Sequence, residues 1–107
     1  MSGSASRAKG KRAANAVIAW LQAHGHPFCA NRAPGEDGDD VIGVPGLSIE
    51  IKDHKTMALA AWVAQAQSQA HGRPAVVIHK RARKADVGDW YATLTVADLF
   101  ALIGDEK

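Results

Sequence analysis

The segment 75–79 constrains the fold most, because its first four residues, Ala-Val-Val-Ile, form an uninterrupted apolar run. Such a run is typical of a short strand that is buried on both faces of a sheet. Helices must then cover both faces, and residues 7–24 and 56–71 have the apolar spacing of helices. The sequence therefore predicts an α/β domain in which helices pack against one mixed central sheet.

The other predicted elements are shorter. We predict strands at residues 28–32, 40–43, 47–52 and 90–95, and a final helix at 98–103. The resulting order is α-β-β-β-α-β-β-α. Residues 1–6 are rich in Ser, Gly and Ala and predict a flexible tail, with Ser6 as candidate N-cap of the first helix. Residues 7–107 then form a single domain.

Composition excludes several classes of protein. The chain has 107 residues, of which 47% are hydrophobic, so it is not disordered throughout. No apolar run approaches the roughly 20 residues that a membrane span needs, and the N-terminus lacks an apolar signal-peptide stretch. Cys29 is the single cysteine, which excludes an internal disulfide. We expect a cytoplasmic protein with no membrane partner.

The distribution of charge is more informative than the net charge of +2. Residues 1–35 contain basic residues and no acid, residues 36–40 contain four acids, and residues 79–84 contain four formal positive charges. Basic segments favour a polyanion, whereas an acidic cluster repels it unless a cation bridges the two. The pattern indicates either phosphate together with a divalent metal, or merely a solvated acidic loop beside solvated basic faces.

Two acids and a lysine carry the candidate chemistry. Glu50 and Lys52 leave the same face of the predicted strand 47–52, and a turn at residues 43–46 would bring Asp40 level with Glu50. Paired carboxylates and an ammonium group suit metal-assisted hydrolysis of a phosphodiester. A backbone carbonyl of Ile49 or Ile51 would complete the set. The alternative is that Glu50 and Lys52 are only a solvent-facing ion pair.

The segment 37–52, DGDDVIGVPGLSIEIK, resembles the active-site motif of the PD-(D/E)XK nuclease superfamily. The wider chain, about residues 9–103, resembles small Holliday junction resolvase-like endonucleases of actinobacterial phages. The resemblance rests on Lys9-Gly10, on Trp20-Leu21 with the HGHP segment at 24–27, and on the segments VVIHKR at 76–81 and DWY at 89–91. It implies a restriction-endonuclease-like fold, Mg²⁺-dependent DNA cleavage in which Mn²⁺ substitutes, and a homodimer.

The resemblance also implies roles for individual residues. Asp40 and Glu50 match the metal-binding acids, and Lys52 matches the motif lysine. Gln69 matches a position that often carries a polar residue. Members of the family often carry a glutamate in the first helix, where this chain has Ala14, and Asp37 or Glu36 is a candidate replacement.

We predict DNA contacts from two basic segments and one isolated arginine. The residues are Lys9, Lys11, Arg12, Arg32, Lys80, Arg81, Arg83 and Lys84. Neither segment contains interleaved aromatic residues, so we expect contacts to the DNA backbone rather than to bases. The alternative for the first segment is a solubilising tail, and the Ala-rich stripe at residues 58–70 is a candidate dimer surface.

Three functions fit these features. The first is a metal-dependent, structure-specific endonuclease acting on branched DNA. The second is a DNA-binding module of the same fold without catalysis, which the missing helix acid favours. The third is a small restriction or repair nickase, which would share the chemistry and differ in substrate.

Overall fold

Two five-residue strands form the centre of the structure. The structure is a computed structural model that describes residues 2–33, 36 and 38–104, with side chains from Ala8 onward. In chain order the elements are α1 (Ser2–Ala23), β1 (Ala30–Asn31), β2 (Val41–Ile42), β3 (Ser48–Lys52), α2 (Leu59–Ser68), β4 (Ala75–His79), a 3-10 turn (Val87–Asp89), β5 (Tyr91–Thr93) and α3 (Val96–Ile103). The predicted α/β class and the predicted order of helices and strands are confirmed.

The strands form two sheets rather than the predicted one, but the central three-stranded sheet is mixed, as predicted. β3 and β4 are parallel, β4 and β5 are antiparallel, and β1 and β2 form a separate antiparallel pair. The Asp39 and Asp40 carboxylates accept hydrogen bonds from the N–H groups of Ile49 (3.3 Å) and Ile51 (2.7 Å). Because these side chains occupy donors of β3 that a neighbouring strand would use, the ladder does not continue from β3 to β2.

The three-stranded sheet lies between two helices. On one face, α1 packs through Ala13, Val17, Ile18 and Leu21 against a cluster that includes Ile49 and Val76. On the other face, α2 packs through Trp62 and Ala66, with Ala70 beyond its end, against Ala75 and Val77. β4 is therefore covered on both faces, as its apolar run predicts. The opposite faces of β3 carry Ile49 and Glu50, in agreement with the predicted alternation.

Several predicted boundaries need correction. α1 begins at Ser2, so Ser6 is inside the helix rather than at its N-cap, and residues 2–6 do not form the predicted irregular tail. Met1 lies outside the described residues. α2 is three residues shorter than predicted at each end, and the chain turns through positive φ at His71 and Gly72. α3 starts at Val96 because the Thr95 hydroxyl caps it, accepting from the Asp98 N–H at 3.1 Å.

Within the described part of the chain, no helix combines the length and the apolar character needed to cross a membrane. α1 has 22 residues, but its sequence includes Lys9, Lys11 and Arg12.

Candidate active site

A turn that begins at Gly43 places Asp40 beside β3. Gly43 has a φ of +86°, and a Cβ there would lie 2.7 Å from a backbone carbonyl oxygen of the loop after α1, so the turn requires glycine. The Asp40 N–H donates to the Ile49 carbonyl at 2.9 Å, and its carboxylate accepts from the Ile51 N–H at 2.7 Å. These bonds lie on either side of Glu50, so Asp40 is level with Glu50, as the predicted turn requires.

Glu50 and Lys52 point towards α2, which holds both side chains. The Lys52 ammonium lies 3.7 Å from Glu50 Oε2 and donates to Gln65 Oε1 at 2.8 Å. The amide nitrogen of Gln69, in the orientation that satisfies its neighbours, donates to Glu50 Oε1 at 2.8 Å. Glu50 is only 4% exposed. Two glutamine side chains therefore fix the predicted acid and lysine in position.

The two carboxyls have pKa values that favour a proton or a cation at the site. Burial, reinforced by the Asp40 carboxylate, raises the pKa of Glu50 to about 7 despite the opposing charge of Lys52. Burial also raises the pKa of Asp40, although the Ile51 N–H and the Lys52 ammonium favour its ionised form. The single ammonium of Lys52 therefore does not neutralise both carboxylates.

Asp39 differs from its neighbour Asp40, because it is bound to two arginines. It is 1% exposed, and its Oδ1 lies 2.6 Å from Arg32 Nη2 and 3.5 Å from Arg73 Nη2. Burial opposes ionisation of Asp39, but the hydrogen bonds from Arg32 and Ile49 and the charge of Arg73 outweigh it and lower the pKa. Arg32, predicted to contact DNA, also donates to the Asp39 carbonyl at 2.6 Å. Its guanidinium therefore anchors the loop before β2.

A cavity of about 350 Å³ opens beside Asp40, between α1 and the loop before β2. Its wall includes Ala14, the position at which the family resemblance places a glutamate. A smaller hollow of about 180 Å³ lies against Lys52 and shares Ile51 with the first. Asp40 and Lys52 thus line adjoining spaces. Glu50 is not among the lining residues of either one and lies behind them, against α2.

The donor set fits a hard divalent cation that keeps much of its water. No group of three or more His, Cys, Asp or Glu side chains suited to a metal occurs among the residues that the structure describes. Asp40 and Glu50 supply carboxylate oxygens. The Ile49 carbonyl is already bonded to Asp40, whereas the Ile51 carbonyl lies on the same side of β3 as Asp40. Mg²⁺ is commonly held through one or two carboxylates and several waters.

Glu36, one of the two candidate replacements for the acid missing at Ala14, is paired with an arginine. Glu36 lines the cavity, but its carboxylate lies 3.9 Å from Arg32 Nη1 and is 60% exposed. Asp37, the other candidate, lies outside the described residues.

The basic residues of α1 lie near the smaller hollow. Lys9 lines this hollow, and its ammonium is 3.8 Å from the Asp53 carboxylate. Lys11 and Arg12 are exposed on the same helix. This surface is therefore partly neutralised where it approaches the site and positively charged beyond it.

The second basic segment begins directly beside the site. The Lys80 N–H donates to the Lys52 carbonyl at 3.0 Å, so the loop after β4 starts at the end of β3. The indole nitrogen of Trp90 donates to the Lys84 carbonyl at 2.7 Å and holds the loop against the domain. Lys80, Arg83 and Lys84 are exposed, and Arg81 is half-buried. The loop that carries these four cations therefore begins at the edge of the candidate site.

Sequence reasoning missed three residues that shape the site, namely Gln65, Arg73 and Asp39. Gln65 precedes Gln69 by four positions, so one polar face of α2 was detectable from helical spacing. Arg73 and Asp39 are far apart in the chain, and no spacing rule connects them, so their pairing could not be read from the sequence.

Comparison with known proteins gives no match: the chain matches neither a family model, nor a curated protein, nor a solved structure. The function must therefore be inferred from the residues and their arrangement.

Proposed function

We propose that this chain is a metal-dependent endonuclease of restriction-endonuclease-like fold that hydrolyses phosphodiester bonds in branched DNA. The observation that carries the proposal is the convergence of Asp40, Glu50 and Lys52 at one end of β3. Burial of two carboxylates against one ammonium is unfavourable unless a proton or a further cation is bound. A module without catalysis has no physical need for this arrangement.

In the proposed mechanism, Asp40 and Glu50 would hold Mg²⁺ or Mn²⁺, and the Ile51 carbonyl would supply a further oxygen ligand. A bound cation of this kind activates water and polarises the phosphate. The Lys52 ammonium orients the attacking water and offsets charge that develops on the phosphate oxygens. Gln65 holds the ammonium in place, which reduces the reorganisation needed during the reaction.

The proposal is tested by incubating the full chain with a labelled four-way junction and with a linear duplex of matched arm sequence. Each substrate is exposed to Mg²⁺, Mn²⁺ or EDTA. We expect cleavage of the junction in either metal, little cleavage of the duplex, and none in EDTA. Equal cutting of both substrates would favour the nickase, and binding of the junction without cutting would favour the catalytically silent module.

The silent module is the second candidate, and Ala14 is the observation that favours it. Because Ala14 lines the cavity beside Asp40, a glutamate there would face the same space. We expect Ala14→Glu to tighten Mn²⁺ binding by about tenfold, since an added carboxylate raises the ligand charge. Isothermal titration measures this affinity. Ala14→Gln is the matched control, because it adds the same bulk without charge, and equal effects of both variants would contradict the prediction.

Glu50→Gln tests the metal site through stability alone. The folded pKa of Glu50, about 7, exceeds its ordinary value of 4.5, so ionisation destabilises the fold as pH rises through this window. We expect Glu50→Gln to be more stable than the wild type at pH 8, by about 3 kcal/mol, with little difference at pH 4.5. Mn²⁺ replaces the missing positive charge, so it should raise the unfolding temperature of the wild type at pH 8 more than that of Glu50→Gln.

Asp89→Asn is the control for that experiment, because Asp89 is exposed and lines neither hollow of the site. A wild-type protein whose unfolding temperature does not respond to Mn²⁺ at pH 8 would count against the metal site, whatever its activity.

We further propose that two copies associate through α3 and the neighbouring groove. No residue of α3 is buried, and Val96, Phe100 and Ile103 are 72%, 59% and 65% exposed. An apolar groove of about 560 Å³ runs beside it, lined by Leu59, Ala60, Val63, Ala64, Gln67, Thr93, Leu94 and Thr95. Neither surface exposes a charge except Asp98, which accepts from the Ala75 N–H. A neutral apolar surface can face its own copy without repulsion, as a two-fold interface requires.

This interface differs from the predicted one at residues 58–70. Ala66 and Ala70 are buried against the sheet, whereas Ala60 and Ala64 line the groove. Only part of the alanine stripe is thus open to a second copy.

Phe100→Asp is expected to convert the dimer to a monomer at micromolar concentration, because it places a charge within the apolar interface. Analytical ultracentrifugation measures the mass. Phe28→Asp is the matched control, since Phe28 is 90% exposed on the loop after α1. A wild-type protein that sediments as a monomer at high concentration would contradict the dimer.

A further inference from the structure

A row of side chains crosses the sheet from Lys52 to Tyr91. Lys52 is paired with His79 on β4, and His79 is paired with Tyr91 on β5. Residues paired in this way point to the same face, and neighbouring strands are about 4.8 Å apart. The backbone of Tyr91 therefore lies about 10 Å from that of Lys52, a separation of two strands.

Tyr91 is held in place from within the protein and is open to solvent on the outside. Its ring meets the His79 ring edge-on, with centroids 5.9 Å apart, and His79 Nε2 is 2.9 Å from the Thr93 hydroxyl. Trp62, which is buried, lies 5.7 Å from His79 between α2 and the sheet. Tyr91 is nevertheless 52% exposed. A supported ring with open surface loses little side-chain entropy when it binds a flat ligand.

Arg81 adds a second planar group to this surface. Its guanidinium carbon lies 4.3 Å from the centroid of the Tyr91 ring, and its Nη1 donates to the Asp89 carbonyl at 2.8 Å. Arg81 is thus stacked on tyrosine and oriented by the backbone. Exposed Lys80 lies next to it in the chain, with its ammonium 5.9 Å from the centroid of the Trp90 ring.

The basic segment contains no interleaved aromatic residues, but the fold brings two aromatic rings beside it. Trp90 and Tyr91 come after residues 80–84 in the sequence. Because β5 pairs antiparallel with β4, the rings of Trp90 and Tyr91 lie beside Lys80 and Arg81 of the basic loop. Aromatic rings beside exposed cations are typical of sites where unpaired bases stack while the phosphates are neutralised. Paired bases are already stacked on both faces and cannot use such a surface.

We propose that Tyr91 and Arg81 form a stacking site for an unpaired base of branched DNA, adjacent to Lys52. The inference rests on the proposed nuclease function and names the feature of the substrate that the site selects. An unpaired base held there places the phosphates next to it beside the basic loop, about two strand spacings from Lys52. Selection of branched over linear DNA then follows from one stacking contact near the reacting phosphate.

The test measures binding in EDTA, so that nothing is cut. The full chain is titrated at fixed salt against a linear duplex and against the same duplex with a central bulge of unpaired thymines. We expect the wild type to bind the bulged duplex about 5- to 100-fold more tightly, the range for stacking of one base. Tyr91→Leu, which retains apolar bulk without an aromatic face, should abolish the preference, and Tyr91→Phe should retain it.

Lys84→Ala is the control for loss of positive charge, and it should weaken both complexes equally. Retention of the wild-type preference in Tyr91→Leu would overturn the inference. A wild type with no preference for the bulge, but with metal-dependent junction cleavage, would also overturn it and would leave the nuclease function standing. Failure to bind any of these DNAs would overturn the proposed function as well.

Discussion

Replacing Lys52 with alanine is expected to slow junction cleavage by about 100- to 1000-fold, the range for losing one group that stabilises charge in a transition state. Lys52 is the only cation within 4 Å of Glu50 in the described structure, and Gln65 holds its ammonium towards the site. Binding of the junction in EDTA should change little, because most of the affinity comes from the other basic residues. Single-turnover cleavage and a binding titration separate these two effects.

The matched control is Lys55→Ala, which removes the same charge from an exposed position three residues later. It should slow cleavage only slightly. If both variants reduce binding and cleavage in parallel, Lys52 contributes general electrostatic attraction and is not a catalytic residue. Lys52→Arg is informative as well, because a planar guanidinium cannot reproduce the compact ammonium that donates to Gln65.

The position of the candidate site was predictable because local rules determine it. Alternation places Glu50 and Lys52 on one face of a strand, and glycine at position 43 permits the turn that brings Asp40 beside them. These features need only short-range geometry. The continuous apolar run of β4 likewise predicted a strand covered by helices on both faces.

The features of the site that the sequence did not predict depend on contacts between segments that are distant in the chain. Asp39 and Asp40 are identical in type and adjacent in the chain, yet Asp39 is bound by two arginines, whereas Asp40 accepts a hydrogen bond from the Ile51 N–H. Arg32 therefore contacts a buried carboxylate, although its charge alone predicted contact with DNA. The position of Tyr91 could not be predicted for the same reason, because it lies beside Arg81 only through the pairing of β4 with β5.

Asp39→Asn is expected to reduce the free energy of unfolding by about 3 kcal/mol, because removal of one partner of a buried ion pair leaves the other unpaired. This value is at the low end of the usual range, since Arg32 and Arg73 are 25% and 35% exposed. The substitution also weakens the hydrogen bond that the Asp39 side chain accepts from the Ile49 N–H. This bond secures the loop to β3. Urea unfolding measures the loss, with Asp89→Asn as the control because Asp89 is exposed.

The effect of Asp39→Asn depends on pH in a defined direction. The folded pKa of Asp39 is below its ordinary value of 3.8, so its ionised form stabilises the fold above that pH. The stabilisation is lost as pH falls through the folded pKa. The wild type and the variant should therefore differ fully at pH 6 and converge below pH 3.8. A difference in stability that does not change with pH would indicate that packing, not charge, is responsible.

The double variant Asp39→Asn/Arg32→Gln separates the two roles of Arg32. If Arg32 acts mainly through Asp39, the two losses of stability should not add, with an interaction energy of about 1–3 kcal/mol. Arg32→Gln alone should then destabilise the fold and weaken DNA binding no more than Asp39→Asn does. If Arg32 contacts DNA directly, its replacement should weaken binding in protein that remains fully folded, and the losses of stability should add. The structure favours the first outcome, because both the carboxylate and the carbonyl of Asp39 already engage its guanidinium at 2.6 Å.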